Sequence, residues 1–177
     1  ESERNAMKYN FNSEDLVNLD EQLKILNCKI RIYVNKNKLR TVTFRLDKEA
    51  IGCSQNYNLI AALEDAAENI MEETLSFDKF YGEKGETVPD CNIDQLLLDG
   101  YKIDIKPFSK KIGTLSYPFI KAVISKKKES QIFSVTSENI EETLNELEDV
   151  AQILNHHGPL QKTLMNYKIR RNTKYKS

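Results

Sequence analysis

The most constraining feature of the sequence is a stretch at 119–157 that has the pattern of two strands followed by a long helix. Segments 119–126 and 131–135 are rich in β-branched and aromatic side chains, which strands favour, and a run of three lysines and a glutamate separates them. Both segments present apolar groups to both faces, which predicts strands that are central in a sheet or covered on both sides. Apolar residues then recur every three or four positions through 140–154, the spacing of one buried helical face. The stretch is therefore predicted to be a hairpin covered by a helix.

A second unit with the same plan occupies 28–75. Apolar and polar residues alternate through 28–34 and 42–46, which predicts a hairpin with one buried and one solvent-facing side. Segment 47–58 is predicted to be a connection, and a helix with several small alanines follows it. The two units share a pattern and no residue identity, so we interpret them as two instances of a frequent motif. The solvent-facing side is predicted to be mildly basic, with Lys29, Arg31, Tyr33, Thr41, Thr43 and Arg45.

Outside these two units the sequence pattern predicts three smaller elements, a loop and a polar connection. A first helix is expected near the N-terminus, and a third strand is expected over 101–106, stopped by Pro107. Residues 109–116 are a predicted polar connection, 77–92 a predicted long loop and 93–98 a predicted helical turn. Together these elements predict an α+β fold: an antiparallel sheet of about five strands, two long helices packed on one face and an N-terminal helix.

We interpret the chain as a single domain with two appendages. Residues 7–158 are long enough for one α+β domain with its own core. Residues 1–6 are interpreted as an expression-vector scar, because Asn5-Ala6 directly precedes Met7. Residues 159–177 form a basic C-terminal tail with six lysines and arginines and no acid. The whole sequence has 26 basic and 27 acidic residues. Without the six basic residues of the tail, the rest of the chain has 20 basic and 27 acidic residues and is strongly acidic.

Composition favours a soluble cytoplasmic protein. Charged residues make up 30% of the sequence, and no apolar run approaches the roughly 18 residues that a membrane-spanning helix needs. The three cysteines are odd in number and far apart, which argues against a disulfide framework. With only two adjacent histidines, the sequence predicts neither a metal site nor a cofactor site.

Two helices have strongly acidic faces, and these are the first candidate for function. An acidic surface can dock a basic protein partner, and complementary charge would speed encounter and set specificity. The simpler interpretation is a solvated polar face, which every amphipathic helix needs. With the chain's small size and lack of catalytic motifs, the acidic faces favour an inhibitory, immunity or mobile-element accessory protein. The candidate residues are Glu64, Asp65, Glu68, Glu72, Glu138, Glu142, Glu146 and Asp149.

The alternative prediction is a nucleic-acid-binding module that uses the first hairpin face and the tail. Cations interleaved with aromatic residues can hold phosphates and stack on bases. The simpler interpretation is a solvated tail, or one folded back onto the acidic body. The candidate residues are Lys29, Arg31, Arg45, Lys168, Arg170, Arg171 and Lys174.

Catalytic chemistry has little support in the sequence, and we predict no enzyme activity. His156 and His157 are adjacent on a helix, so their side chains diverge, and a helix C-terminus favours histidine through its dipole. Cys91 lies among acids, which raise a thiol's pKa and disfavour a nucleophile. An unrecognised enzyme with a site near 77–92 is the third alternative. Either hairpin could also supply a strand edge for homo-oligomerisation.

Overall fold

A computed structural model describes residues 13–71, 89, 91–126 and 131–157 of the chain. Within these residues the chain forms four helices and six strands. Residues 1–6, which were interpreted as an expression scar, lie outside the described residues, as do the basic tail, most of the predicted 77–92 loop and Glu72. The elements in chain order are α1 (Ser13–Leu26), β1 (Lys29–Val34), β2 (Arg40–Leu46), β3 (Glu49–Asn56), α2 (Leu59–Met71), α3 (Asn92–Leu98), β4 (Tyr101–Ile112), β5 (Leu115–Lys126), β6 (Gln131–Ser137) and α4 (Ile140–His157).

The six strands form one antiparallel sheet in the order β3-β2-β1-β4-β5-β6. Register places apolar residues opposite one another across the sheet, as in the row Phe44, Ile30, Ile105, Ala122 and Val135. All five of these side chains are buried. Because side chains alternate along a strand, the residues between them face the other side of the sheet. One face of the sheet is therefore the core face throughout.

The helices form a layer on that core face. Helix α2 packs over β2 and β3, α4 packs over β5 and β6, and α1 lies between α2 and α4. The short α3 contacts β1, β4 and α4. Buried side chains from all four helices and from the strands belong to one hydrophobic cluster. The α+β fold predicted from the sequence is confirmed, and the N-terminal helix belongs to the same layer as the two long helices.

The sixth strand is β3, which replaces part of the predicted 47–58 connection. It pairs with β2 at the edge of the sheet, after a tight turn in which Asp47 has φ 57°. Sequence patterning did not predict it because small and polar residues dominate the strand. The small residues have a packing role, since Ser54 is fully buried and accepts a hydrogen bond from Asn69 of α2 at 2.9 Å.

Strands β4 and β5 are longer than predicted, which corrects the interpretation of 109–116 as a polar connection. Pro107 does not stop β4: it lies beyond the last described pair with β1, where β4 is an edge strand and proline is tolerated. The two strands stay paired out to Ile112 and Leu115. Gly113, the first residue of the two-residue turn, has φ 67°, the positive φ that such hairpin turns require. We call the projecting hairpin 108–119 the arm.

Two further expectations about the hairpins need correction. The predicted solvent-facing side of the first hairpin is partly buried: Thr41 is 0% exposed and Thr43 7% exposed. Thr41 Oγ1 lies 3.4 Å from Gln55 Nε2 of β3, a strand that the sequence did not predict. In the second hairpin β5 is internal, as expected, whereas β6 is an edge strand.

Buried carboxylates hold the helices in place. Asp94 of α3 makes a two-pronged ion pair with Arg40 of β2, with N–O distances of 2.7 and 2.9 Å. Glu148 of α4 accepts hydrogen bonds from the backbone N–H groups of Asn92 and Ile93, so it caps the N-terminus of α3. In the same way Asp20 of α1 accepts a hydrogen bond from the backbone N–H of α4's first residue at 2.9 Å.

Loss of the fully buried ion pair should lower the free energy of unfolding more than loss of a partly exposed pair. Arg40 and Asp94 are 1% and 0% exposed, so Arg40→Met would leave a buried carboxylate without its guanidinium. We expect the free energy of unfolding to fall by about 3–5 kcal/mol. Arg31→Met, at the 28% and 18% exposed pair with Asp104, is the matched control and should cost at most about 1 kcal/mol. Urea unfolding followed by circular dichroism measures both, and equal losses would contradict the expectation.

Candidate binding surfaces

Charge is divided between the helices and the strands of the fold. The four helices contain 13 aspartates and glutamates, and Lys24 is their only lysine or arginine. The six strands contain ten lysines and arginines and only two acids, Glu49 and Asp104. Because all four helices pack on one face of the sheet, the described part of the molecule has an acidic helical side. The opposite side of the sheet is basic.

The acidic side combines three helices. We call its half-exposed and exposed carboxylates the acidic layer. Six of the residues predicted from the sequence belong to the layer, three on α2 and three on α4, and Glu138 lies exposed just before α4. Acids of α1 complete the surface, and sequence reasoning missed them because it treated that helix only as packing. The members of the acidic layer are Glu14, Asp15, Glu21, Glu64, Asp65, Glu68, Glu141, Glu142, Glu146 and Asp149.

Like charges are close enough in the acidic layer to affect one another. Burial raises the pKa of the Glu64 carboxyl, and the charges of Asp15, Asp65 and Glu68 raise it further. Asp15 belongs to α1, whereas Glu64, Asp65 and Glu68 belong to α2, so carboxylates of the two helices repel one another. The one helical lysine does not relieve this repulsion, because Lys24 Nζ lies 2.8 Å from Asp20 and 2.9 Å from the Glu138 carbonyl.

The first hairpin face places its three predicted nucleic-acid-binding residues on the basic side, but not as free cations. Arg31 is paired with Asp104 of β4 at 2.7 Å, which neutralises its charge. Arg45 donates a hydrogen bond to the Lys48 carbonyl at 3.2 Å. Lys29 is half-buried. The tail residues that were to complete this site lie outside the described residues.

A pocket of about 360 Å³ opens at the end of the sheet where β1 finishes and β4 begins. Its lining combines three cationic side chains with aromatic and aliphatic groups. Asp104, which is not itself a lining residue, balances one of these cations. The lining residues are Arg31, Tyr33, Val34, Arg45, Leu97, Gly100, Tyr101 and Lys102.

The arm continues the basic side beyond the edge of the sheet. At the base of the arm Lys106 pairs with Lys121. Within the arm Phe108 pairs with Phe119, Lys110 with Tyr117 and Ile112 with Leu115, and all eight residues belong to the face opposite the helices. Sequence reasoning missed this surface because two serines at its ends suggested a loop. Alternation on either side of Gly113-Thr114 was the signal that could have revealed it.

Groups with catalytic potential are dispersed in the described residues. Burial raises the pKa of the Cys28 thiol to about 11, so this thiol is protonated at neutral pH. His156 Nδ1 lies 2.8 Å from the Gln152 carbonyl of its own helix, consistent with the structural role expected at a helix end. Across 13–71, 91–126 and 131–157 no three histidine, cysteine or acidic side chains are grouped as metal ligands are.

Comparison with known proteins adds no family to these observations. No protein-family model matches the chain, and neither a curated protein nor a solved structure is significantly similar to it. Among the described helices, none has both the length and the apolar character needed to cross a membrane. The function of this chain is therefore inferred from its surfaces.

Neutralising Glu64 should stabilise the protein in a pH-dependent way. Its folded-state pKa is raised, so ionisation of Glu64 costs stability as pH rises through that value. We expect Glu64→Gln to have a higher free energy of unfolding than the wild type at neutral pH. The difference should close as pH falls below the ordinary pKa of a glutamate. Urea unfolding between pH 4 and about 7.5 measures the difference, and a gap that widened toward acid pH would contradict the assignment.

Proposed function

We propose that the protein is a non-enzymatic, cytoplasmic interaction protein that docks a basic protein partner through the acidic layer. One observation carries the proposal: the acidic layer holds ten acids, and the one lysine of the described helices is already paired with the buried Asp20. Three adjacent helices thus present negative charge on one side. A positively charged partner would meet a potential that steers it to this side from a distance.

Repulsion within the layer supports a binding role. The neighbours that raise the pKa of Glu64 include Asp15 on another helix, so folding brings together carboxylates that repel. A surface kept only for solubility gains from interspersed charges of both signs. Repulsion between carboxylates lowers the stability of the fold, so a surface without a binding role would be expected to have mixed charges. A binding surface keeps its like charges because a partner later neutralises them.

The centre of the layer has an apolar component, as interfaces commonly do. Val17 and Ile25 of α1 are 51% and 72% exposed, and Glu21 lies between them on the same helical face. Helix α1 lies between α2 and α4, so this ridge has acidic helices on both sides. An apolar centre with a charged rim is the usual composition of a specific protein interface.

The cysteines support the cytoplasmic part of the proposal. In the described part of the chain no disulfide joins Cys28, Cys53 or Cys91, and two of these cysteines are buried in the fold. Proteins of oxidising compartments usually pair their cysteines, whereas reducing compartments keep thiols free. An inhibitory, immunity or mobile-element accessory role is consistent with this location and with the acidic layer, and stays a prediction.

The alternative functions retain weaker support. Nucleic-acid binding through the first hairpin face remains a prediction, although the pairing of Arg31 with Asp104 removes one of its expected cations. An enzyme with a site near 77–92 also remains a prediction, since most of that segment lies outside the described residues.

Neutralising part of the acidic layer should weaken partner capture. The test variant combines Glu64→Gln, Asp65→Asn and Glu68→Gln, which remove three charges from α2. The matched control combines Asp47→Asn, Glu49→Gln and Asp99→Asn, which remove three exposed charges away from the layer. Each protein is used for affinity capture from nuclease-treated lysate of the source cell, at low and at moderate salt.

We expect the wild type and the control to capture the same basic protein, and the test variant to lose most of it. With the purified partner, association should slow by about tenfold or more in the test variant, because electrostatic steering acts mainly on the association rate. Capture that resists both the substitutions and added salt would contradict docking through the acidic layer. Recovery of nucleic acid when nuclease is omitted, with no protein captured in either case, would contradict docking of a basic protein and favour a nucleic-acid-binding function.

A further inference from the structure

The arm has two unlike faces, although it is only two strands wide. On the face that continues the basic side of the sheet, the pair Lys106 and Lys121 lies at the base of the arm. Outward from it follow a pair of phenylalanines, a lysine opposite a tyrosine, and finally two aliphatic residues. On the other face the pairs are small or polar, such as Ser109 with Pro118 and Lys111 with Ser116. Hairpin formation alone does not require this asymmetry, because neither arm face covers the core.

Two rings and an ammonium group lie close together on the first face. The Phe108 and Phe119 rings are stacked, with centroids 5.8 Å apart and planes 30° from parallel. Lys110 Nζ lies 5.9 Å from the Phe119 ring centroid. Beyond them the side chains are open: Tyr117 is 40% exposed, Ile112 56% and Leu115 59%. Large apolar groups thus stand in solvent beside cations.

The charge of this segment has a single sign. Residues 106–121 contain four lysines, Lys106, Lys110, Lys111 and Lys121, and no acid. Three of the lysines belong to the aromatic face and Lys111 to the other. A ligand that complements the aromatic face must therefore combine negative charge with flat or apolar groups, at a repeat of a few ångströms.

We propose that the aromatic face of the arm binds single-stranded nucleic acid. Unpaired bases would stack on the exposed Tyr117 ring and on the Phe108–Phe119 pair, and the backbone phosphates would meet Lys106, Lys110 and Lys121. Base faces are accessible in a single strand and covered in a duplex, so the site should prefer single strands. This site lies on the side of the sheet opposite the acidic layer and does not rest on partner docking there.

Fluorescence anisotropy with a labelled oligothymidylate or oligouridylate of about 12 nucleotides tests the proposal, since comparable single-strand sites span about 4–16 nucleotides. We expect binding at low ionic strength that weakens as salt rises. Tyr117→Leu keeps an apolar side chain but removes the ring, and should weaken binding by about five- to a hundredfold. Tyr117→Phe keeps the ring and should bind like the wild type.

The two adjacent lysines provide a matched pair of charge variants. Lys110→Gln and Lys111→Gln remove the same charge from neighbouring positions on opposite faces of the arm. We expect Lys110→Gln to weaken binding more, and to make the slope of log affinity against log salt shallower by about 0.7, the value for one phosphate contact to a single strand. Lys111→Gln should leave that slope close to the wild-type value. Far-UV circular dichroism checks that each variant is folded.

Four outcomes would overturn the proposal. The first is no anisotropy change at low salt, and the second is equal weakening by the two lysine variants. The third is unchanged binding in Tyr117→Leu with full competition by inorganic polyphosphate, which would mean that charge alone is recognised. The fourth is a concentration-dependent dimer that Tyr117→Leu abolishes in a protein that binds no oligonucleotide, which would assign this face to a second copy of the chain.

Discussion

Burial of one face of the sheet is the constraint on which the rest of this structure depends. Residues such as Ile30, Ile105 and Ala122 face one another across neighbouring strands, and all are buried under the helices. A shift of one residue in any strand would exchange buried and outward-facing side chains, so register is strongly specified. The same alternation that buries the aliphatic residues places Arg31, Lys106 and Lys121 on the opposite face. Charge segregation therefore follows from the way the core is buried.

Polar interactions, in addition to apolar burial, hold helix α3 in place. With seven residues it is too short to be stable alone, because helix nucleation is costly. Asp94 ties it to the sheet through Arg40, and Glu148 ties its N-terminal N–H groups to α4. These carboxylates look like ordinary surface acids in the sequence. Their burial is tolerable only because each one has charged or backbone donors in reach.

The two sides of the molecule offer different chemistry to different partners. The acidic layer brings carboxylates of separate helices together: burial raises the pKa of Glu64, and the neighbouring charges of Asp15, Asp65 and Glu68 raise it further. The arm brings lysines and rings together through strand pairing alone, since its residues lie beyond the pairs with β1 and β6. Because the two surfaces lie on opposite faces of the sheet, substitutions in one can be made without altering the other.

Local pattern determined much of the architecture. Alternation over β1 and β2, helical spacing over α2 and α4, and the acids of α2 and α4 were all readable from the sequence, because each depends on neighbours within a few positions. Tertiary structure decided the rest. Strand β3 exists because β2 offers it a pairing edge, Glu148 is a cap because α3 folds beside α4, and 109–116 belongs to the arm because β4 and β5 continue to pair past Pro107. For β3 and the Glu148 cap, the deciding partner is another element that local periodicity does not reveal. For the arm, alternation around Gly113-Thr114 was a local signal, but only the pairing of β4 with β5 decides how far the two strands extend.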